Sequence, residues 1–311
     1  MAILKSIIVA LAAASAPITV LGFQLQSRAV VNMDPYPFCN VATNANCIAG
    51  GKYLIPILEF SSEGGAGDVA YNTYLPTSAW TFSKWTNGMM PERCYYWGVT
   101  ADKWKATDFI IYNVTYSDCA TPFVVCRHQK STKSIGQLAT IIGRLPVKMR
   151  QATSIYLVYG DQNSDNPNYG GYMATLAGDG IIIGRSVAYF STSLVHETGH
   201  AIDSTLASPG SGKSFSSTTA WANAVKADGF AVSAYGAGSY VEDFAETTRA
   251  VLLDTIYPGG LSNFTQKNPN ITQITNQLKA YKTVAGAYLT LGGKCDLAKK
   301  FPFPTELVKR V

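Results

Sequence analysis

The chain has 311 residues, of which 47% are hydrophobic and 14% are charged, and its formal net charge is +5. This length and apolar content suffice for a packed core in one large domain or two small ones. The basic residues are scattered along the chain, so the concentrated positive charge of a nucleic-acid-binding protein is missing and no nucleic-acid partner is predicted.

The N-terminus has the pattern of a secretory signal peptide. Lys5 precedes an apolar stretch that contains Pro17 and ends at Gly22, and this stretch is too short for a stable membrane span. A signal anchor is the alternative. We predict that residues 1–22 are removed and that 23–311 form a single domain. This domain is expected to be secreted, extracellular or in the cell wall, monomeric and without a membrane span.

The cysteines and glycosylation motifs suit a secreted glycoprotein. An even number of cysteines behind a signal peptide predicts disulfides, and the cysteines are Cys39, Cys47, Cys94, Cys119, Cys126 and Cys295. Short separations favour pairing Cys39 with Cys47 and Cys119 with Cys126, which leaves Cys94 with Cys295. Sequons for N-glycosylation begin at Asn113, Asn263 and Asn270, and these are expected at the surface.

Residues 23–130 are predicted to be the disulfide-rich N-terminal part of this domain. Strand patterns occur at 53–60 and 108–116, which are rich in apolar, β-branched and aromatic residues. Between them, segment 71–98 is rich in Trp and Tyr. Such a cluster is usually core, and less often a sugar-binding platform.

Residues 131–311 are predicted to be the catalytic part. Strand patterns lie at 155–159, 181–184 and 187–190, and helical spacing is found at 134–145, 193–205, 220–227, 239–254 and 272–289. We therefore predict an α+β fold, with a small mixed sheet packed on the helix at 193–205 and a helical C-terminal subdomain. The strands just before that helix are expected to include an edge strand that binds an extended peptide.

The helix at 193–205 contains the motif H-E-x-x-H, from His196 to His200. Residues four apart lie on one face of a helix, so both imidazoles can bind one Zn²⁺. Glu197 would lie beside the metal as a general base. The alternative is a pair of surface histidines on an amphipathic helix.

A catalytic zinc site needs a third protein ligand, and Glu242 is the preferred candidate. Glu246 lies one turn further along the same helix and would accept the second ring N–H of His196. Alternatively, Glu242 belongs to a helix cap and Glu246 is a solvated carboxylate or a partner of Arg249.

Three other residues are candidates by type or position. Asp203 lies on the same helix face as the two histidines and is expected to orient a ligand or to cap the helix. His128 is a weaker candidate for the third ligand, and so is Asp243, which points away from the face of Glu242.

Over about residues 190–255, these motifs resemble the catalytic domain of anthrax lethal factor and related gluzincin-type toxin peptidases. That family carries H-E-F-G-H-A-V-D, S-Y-G and E-F-F-A-E. This chain has H-E-T-G-H-A-I-D from His196, S-A-Y-G before Gly236 and E-D-F-A-E from Glu242. Asp243 departs from the family, which has an aromatic residue there.

The resemblance implies a zincin-like fold and a role for each matched residue. Zinc would be bound by His196, His200 and Glu242, with Glu197 as the base. Tyr235 would lie over the developing oxyanion.

The wider chain, including C-Y-Y-W-G from Cys94 and C-R-H from Cys126, is similar to fungal secreted proteins called conidiation-specific protein 13. That name implies an expression pattern and no activity. Deuterolysin-type secreted fungal peptidases are competing relatives, but their G-T-x-D-x-x-Y-G motif does not occur here.

Two functions follow from these patterns. The first is a secreted zinc metallopeptidase, an endopeptidase with Zn²⁺ as its cofactor and a peptide or protein as its substrate. The alternative is a secreted cell-wall or glycan- or protein-binding protein that keeps the fold without important turnover, which segment 71–98 motivates. A pure binding protein has no need of Glu197, so the intact motif favours the enzyme.

Overall fold

A computed structural model of the chain describes residues 66–160, 173–176, 181–185, 190–206, 214–264, 269–295 and 307–309. All of these residues belong to one compact unit, Met33–Val311. The predicted signal peptide, the strand pattern at 53–60 and the proposed pair of Cys39 with Cys47 lie outside the described residues.

Most of the strands form one mixed sheet. The strands are Trp80–Lys84 (β1), Met89–Pro91 (β2), Phe109–Tyr116 (β3), Cys119–His128 (β4), Ile155–Tyr159 (β5), Met173–Leu176 (β6), Ile181–Arg185 (β7) and Leu307–Lys309 (β8). The six-stranded sheet has the order β1-β3-β4-β5-β7-β6, and β2 pairs with β8 in a separate small sheet. Strand β5 is parallel to both β4 and β7, whereas the other neighbours are antiparallel.

Along the chain, helices precede, separate and follow the strands of this sheet. They are Ala66–Tyr74 (α1), Glu92–Cys94 (α2), Ile135–Arg144 (α3), Val147–Arg150 (α4), Phe190–Leu206 (α5), Thr219–Asp228 (α6), Tyr240–Ile256 (α7), Gly260–Phe264 (α8) and Thr275–Ala285 (α9). The predicted α+β fold, a small mixed sheet with helices, is confirmed. Among the described residues, no helix is long and apolar enough to cross a membrane.

Local sequence explains where several helices begin and end. Ser134 accepts a hydrogen bond from the N–H of Gln137, whose side chain accepts one from the N–H of Ser134, so α3 begins with a complete capping box. At the N-terminus of α6, the hydroxyl of Thr218 accepts a hydrogen bond from the backbone N–H of Trp221. Gly229 ends α6 in the left-handed conformation, which costs glycine little.

Buried side chains pack on both faces of the sheet. Along β5, Tyr156 and Val158 belong to the core beneath the helices, and Leu157 and Tyr159 belong to a smaller core on the opposite face. Because both faces are covered, this strand is a continuous apolar run without polar alternation. The π-helix Tyr95–Ala101 contributes partly buried side chains to the smaller core.

Both disulfides among the described residues differ from the predicted pairs. Cys94 is bonded to Cys126, with 6.5 Å between their Cα atoms, and Cys119 to Cys295, with 4.9 Å. The predicted pairing of Cys119 with Cys126 is wrong because both lie on the extended strand β4. At about 3.3 Å per residue, seven residues of strand separate them far beyond the reach of a disulfide.

Other element boundaries also differ from prediction. Strand β6 lies between the strand patterns at 155–159 and 181–184, where the sequence predicts no strand. The strand predicted at 187–190 is wrong at Phe190, where α5 begins. The single helix expected at 272–289 is divided, because 3₁₀ turns flank α9 on both sides.

Candidate metal centre

The H-E-x-x-H helix, α5, is fixed at its start by a buried carboxylate. Asp68 of α1 accepts hydrogen bonds from the backbone N–H of Thr192, at 2.8 Å, and from its hydroxyl, at 2.9 Å. A carboxylate at this end of a helix satisfies an unpaired N–H and interacts favourably with the helix dipole. No local pattern signals this contact, since the two residues are 124 positions apart.

The second helix of the site, α7, begins beside the histidines. Ser239 caps it by accepting a hydrogen bond from the backbone N–H of Glu242, at 3.2 Å. The carboxylate of Glu242 is directed instead at the two imidazoles. The backbone of Glu242 therefore takes part in the cap formed by Ser239, whereas its carboxylate, which a capping box would need at the N–H of Ser239, lies at the imidazoles.

Gly199, between the two histidines, allows α5 and α7 to approach closely. A Cβ atom at this position would lie 2.6 Å from the Oγ1 atom of Thr248 and 3.0 Å from the Cα atom of Ala245. Carbon atoms in contact normally lie at about 3.5–4.0 Å. A side chain at position 199 would therefore push apart the two helices that carry the candidate ligands.

Three donor atoms form a nearly equilateral triangle at this junction. The Nε2 atoms of His196 and His200 are 3.1 Å apart, and each lies 3.2 Å from the Oε2 atom of Glu242. Donors at about 2.05 Å from a tetrahedral zinc ion lie about 3.3 Å from one another. Two imidazoles and one carboxylate are also a ligand set found in catalytic zinc sites, so the donors fit Zn²⁺ in type and in spacing.

The other ring nitrogen of His196 is held by Glu246. Its Nδ1–H donates to the Oε1 atom of Glu246 at 2.7 Å, and Arg249 donates to the same oxygen at 2.5 Å. Burial would raise the pKa of Glu246, but Arg249 and His196 lower it to about 2. An ionised Glu246 keeps a proton on Nδ1, so Nε2 is the nitrogen that can bind a metal once it has lost its own proton.

The carboxylates and His196 shift one another's pKa values. Burial would lower the pKa of His196, but Glu242 and Glu246 raise it to about 10. Burial would likewise raise the pKa of Glu242, yet His200 and His196 hold it well below its usual range. These shifts identify a buried site that attracts positive charge.

Glu197 and Tyr235 lie at the same junction. Glu197 is buried on α5, next in sequence to His196. Tyr235 is half-buried, and the centroid of its ring is 5.5 Å from that of His196. The structure thus brings together His196, Glu197, His200, Tyr235, Glu242 and Glu246.

Asp203 and His128 have other contacts. Asp203 accepts hydrogen bonds from the N–H and the hydroxyl of Ser216, at 2.7 and 2.6 Å. The Nδ1 atom of His200 is buried without a hydrogen-bond partner among the described residues, so Asp203 does not orient it through a hydrogen bond. His128 is buried beside Trp104 in the smaller core, with ring centroids 4.3 Å apart.

Comparison with known proteins gives a family and one curated relative. The sequence model of the family described as conidiation-specific protein Con-13 matches residues 66–286. The chain is 28% identical over 185 residues to conidiation-specific protein 13 of Neurospora crassa, an alignment that covers 55% of this chain and 48% of that protein. The chain thus spans about half the length of this curated relative. No solved structure matches the chain.

Proposed function

The chain belongs to the Con-13 family, and we propose that it is a secreted zinc-dependent metallopeptidase that cleaves internal peptide bonds. The observation that carries this proposal is the triangle of His196 Nε2, His200 Nε2 and Glu242 Oε2, with sides of 3.1–3.2 Å. The family name describes conidiation and no chemistry, so the proposal depends on the site itself.

We further infer a zincin-like fold for this domain. The order of the elements along the chain supports this inference. The strands of the mixed sheet precede the H-E-x-x-H helix α5, and α7, which follows, carries the candidate third ligand. Strand β6 lies at the edge of the sheet, antiparallel to β7. An extended peptide could add to this edge by β-augmentation, which would present its backbone to the site.

The chemistry can be divided among the residues of the site. A zinc ion bound here would act as a Lewis acid and lower the pKa of a water molecule that it holds. Glu197 would accept the proton of the attacking water and deliver it to the leaving amine. The hydroxyl of Tyr235 would donate a hydrogen bond to the oxyanion as it develops. Glu246 and Arg249 would keep His196 in the tautomer that binds the metal.

The test is cleavage of a complex peptide mixture by the purified protein, with cleavage sites identified by mass spectrometry. Glu197→Gln is the matched variant because it keeps the size of the side chain and removes the base. The wild type should cleave, and a zinc chelator should abolish cleavage. Glu197→Gln should bind zinc and lose nearly all turnover. Cleavage that persists in Glu197→Gln, or a wild type that binds no zinc, would contradict the proposal.

Secretion is part of the proposal. The bonds of Cys94 with Cys126 and of Cys119 with Cys295 are compatible with an oxidising compartment. We propose that the mature protein is monomeric and extracellular or located in the cell wall. Intact mass measurement of the protein from culture medium would test removal of residues 1–22 and glycosylation at the sequons.

A second candidate function is glycan or cell-wall binding. The observation that favours it is Phe82 on β1, which is 45% exposed and stacked on Trp80 with ring centroids 5.8 Å apart. Exposed aromatic rings of this kind can stack on sugars. Wall binding that survives Glu197→Gln and is lost in Phe82→Ser would favour this function, whereas binding unaffected by Phe82→Ser would exclude this surface.

A further inference from the structure

Tyr235 lies in a short turn that is closed by its own hydrogen bonds. The N–H of Gly236 donates to the hydroxyl of Ser233 at 3.0 Å, and the N–H of Ala237 donates to the carbonyl of Ser233 at 2.9 Å. The N–H of Gly238 donates to the carbonyl of Tyr235, also at 3.0 Å. Because of these bonds, the turn 232–238 is expected to move as one unit with the ring of Tyr235.

One residue of α7, Asp243, contacts this turn at two points. The backbone N–H of Val232 donates to the Oδ1 atom of Asp243 at 3.1 Å. At Gly236, a Cβ atom would lie 3.2 Å from both the Cα and the Oδ1 atoms of Asp243. Asp243 therefore contacts the turn three residues before Tyr235 and one residue after it.

Asp243 is also the residue next to the candidate ligand Glu242. It is fully buried, and its Oδ2 atom has no hydrogen-bond partner among the described residues. A buried polar atom without a partner is unfavourable, so Asp243 holds the N–H of Val232 at a cost to stability. Buried polar atoms without partners are expected mainly where the side chain has a functional role.

We propose that Asp243 is a positioning residue, which sets the distance between Tyr235 and the ligand Glu242 by binding the turn that carries Tyr235. The effect of Asp243 on catalysis rests on the proposed peptidase function, whereas its contact with the turn is independent of that function. Two sets of variants test these two parts separately.

The first set tests the hold on the turn by hydrogen exchange of residues 231–238. Asp243→Leu removes the acceptor of the Val232 N–H, whereas Asp243→Asn keeps an oxygen in that position. Gly236→Ala perturbs the same contact from the turn, and Gly238→Ala is its matched control because a Cβ atom there meets nothing within 4 Å. We expect faster exchange in Asp243→Leu and Gly236→Ala, and wild-type exchange in Asp243→Asn and Gly238→Ala.

The second set is a double-mutant cycle with Tyr235→Phe on peptide cleavage. Loss of one oxyanion donor typically lowers kcat by about 10²–10³-fold, and Asp243→Leu should approach the effect of Tyr235→Phe with little change in KM and in zinc content. If Asp243 acts through Tyr235, the double variant should be no slower than Tyr235→Phe alone. Asp243→Asn should restore most of the activity.

Each outcome decides the inference. Unchanged exchange in both Asp243→Leu and Gly236→Ala would overturn it, and so would losses of kcat that multiply in the double variant. If Asp243→Leu does not fold, Gly236→Ala replaces it in both sets. If the wild type neither binds zinc nor cleaves peptides, the proposed function fails, and the exchange data alone decide whether Asp243 holds the turn.

Discussion

Replacement of Gly199 by alanine should disrupt the candidate metal centre without touching a ligand. The new Cβ atom would lie 2.6 Å from the Oγ1 atom of Thr248 and 3.0 Å from the Cα atom of Ala245. Restoring ordinary contacts requires a separation of the two helices by about 0.5–1 Å, since carbon atoms in contact lie at about 3.5–4.0 Å. Such overpacking typically costs about 1–3 kcal/mol, partly offset by the better helix propensity of alanine, about 0.5–1 kcal/mol.

The same displacement would move Glu242 away from the two histidines. We expect zinc affinity to fall by about 10–100-fold, the range found when the support of a metal ligand is lost. The assay is competition for zinc against a chromophoric chelator, beside thermal unfolding of each variant. Adding Thr248→Ala removes the nearest atom and should restore part of the affinity. Wild-type zinc affinity in Gly199→Ala would refute the inference that close helix packing builds the site.

Three further predictions follow from the structure. Glu246→Gln should lower zinc affinity about tenfold because it weakens the acceptor for the Nδ1–H of His196, and an unchanged dissociation constant would contradict this. The pKa of His196 is raised to about 10. In chelator-treated protein at pH 7–8 its ring therefore carries a proton on each nitrogen, and zinc must displace the one on Nε2. Affinity should then rise with pH up to about 10, and calorimetry in buffers of different ionisation enthalpy should detect the released proton; a buffer-independent enthalpy would argue against it. Arg150 is fully buried, pairs with Asp118 and lies 4.2 Å from the ring centroid of Tyr116. Arg150→Met should therefore lower the free energy of unfolding by about 3 kcal/mol, the low end for a broken buried pair because Asp118 keeps partial access to solvent. A melting temperature within about 2 °C of wild type, roughly the shift expected from a single kcal/mol in a domain of this size, would contradict the pairing.

Much of the local structure could be predicted from the sequence because its signals are local. Helical spacing located α3, α5 and α7, although α5 begins earlier than expected, at Phe190. The neighbouring positions of His196 and His200 follow from helix geometry alone. The capping role of Ser239 also depends only on residues within one turn.

The remaining structure depends on which elements lie side by side. Cys119 is closer in sequence to Cys126 than Cys94 is, but it lies at the opposite end of the extended strand β4. Cys126 is bonded to Cys94 instead. Strand β6 is not predicted from the sequence because its hydrogen bonds come from pairing with β7. The contact of Asp68 with Thr192 has no sequence signal for the same reason.

The placement of the third candidate ligand is an intermediate case. Spacing along a helix and a family resemblance pointed to Glu242 and Glu246. Their distance from the histidines depends on the close contact at Gly199, which no periodicity reveals.

The most direct test of the central claim is the X-ray absorption spectrum of the protein loaded with one equivalent of zinc. We predict a four-coordinate ion with two imidazole nitrogens at about 2.0–2.1 Å, one carboxylate oxygen and one further light atom from water, and no sulfur. The imidazole signal should fall by half in His200→Ala. Failure to retain zinc, or a spectrum with sulfur ligands or six oxygen ligands, would contradict the assignment of a catalytic zinc centre to His196, His200 and Glu242.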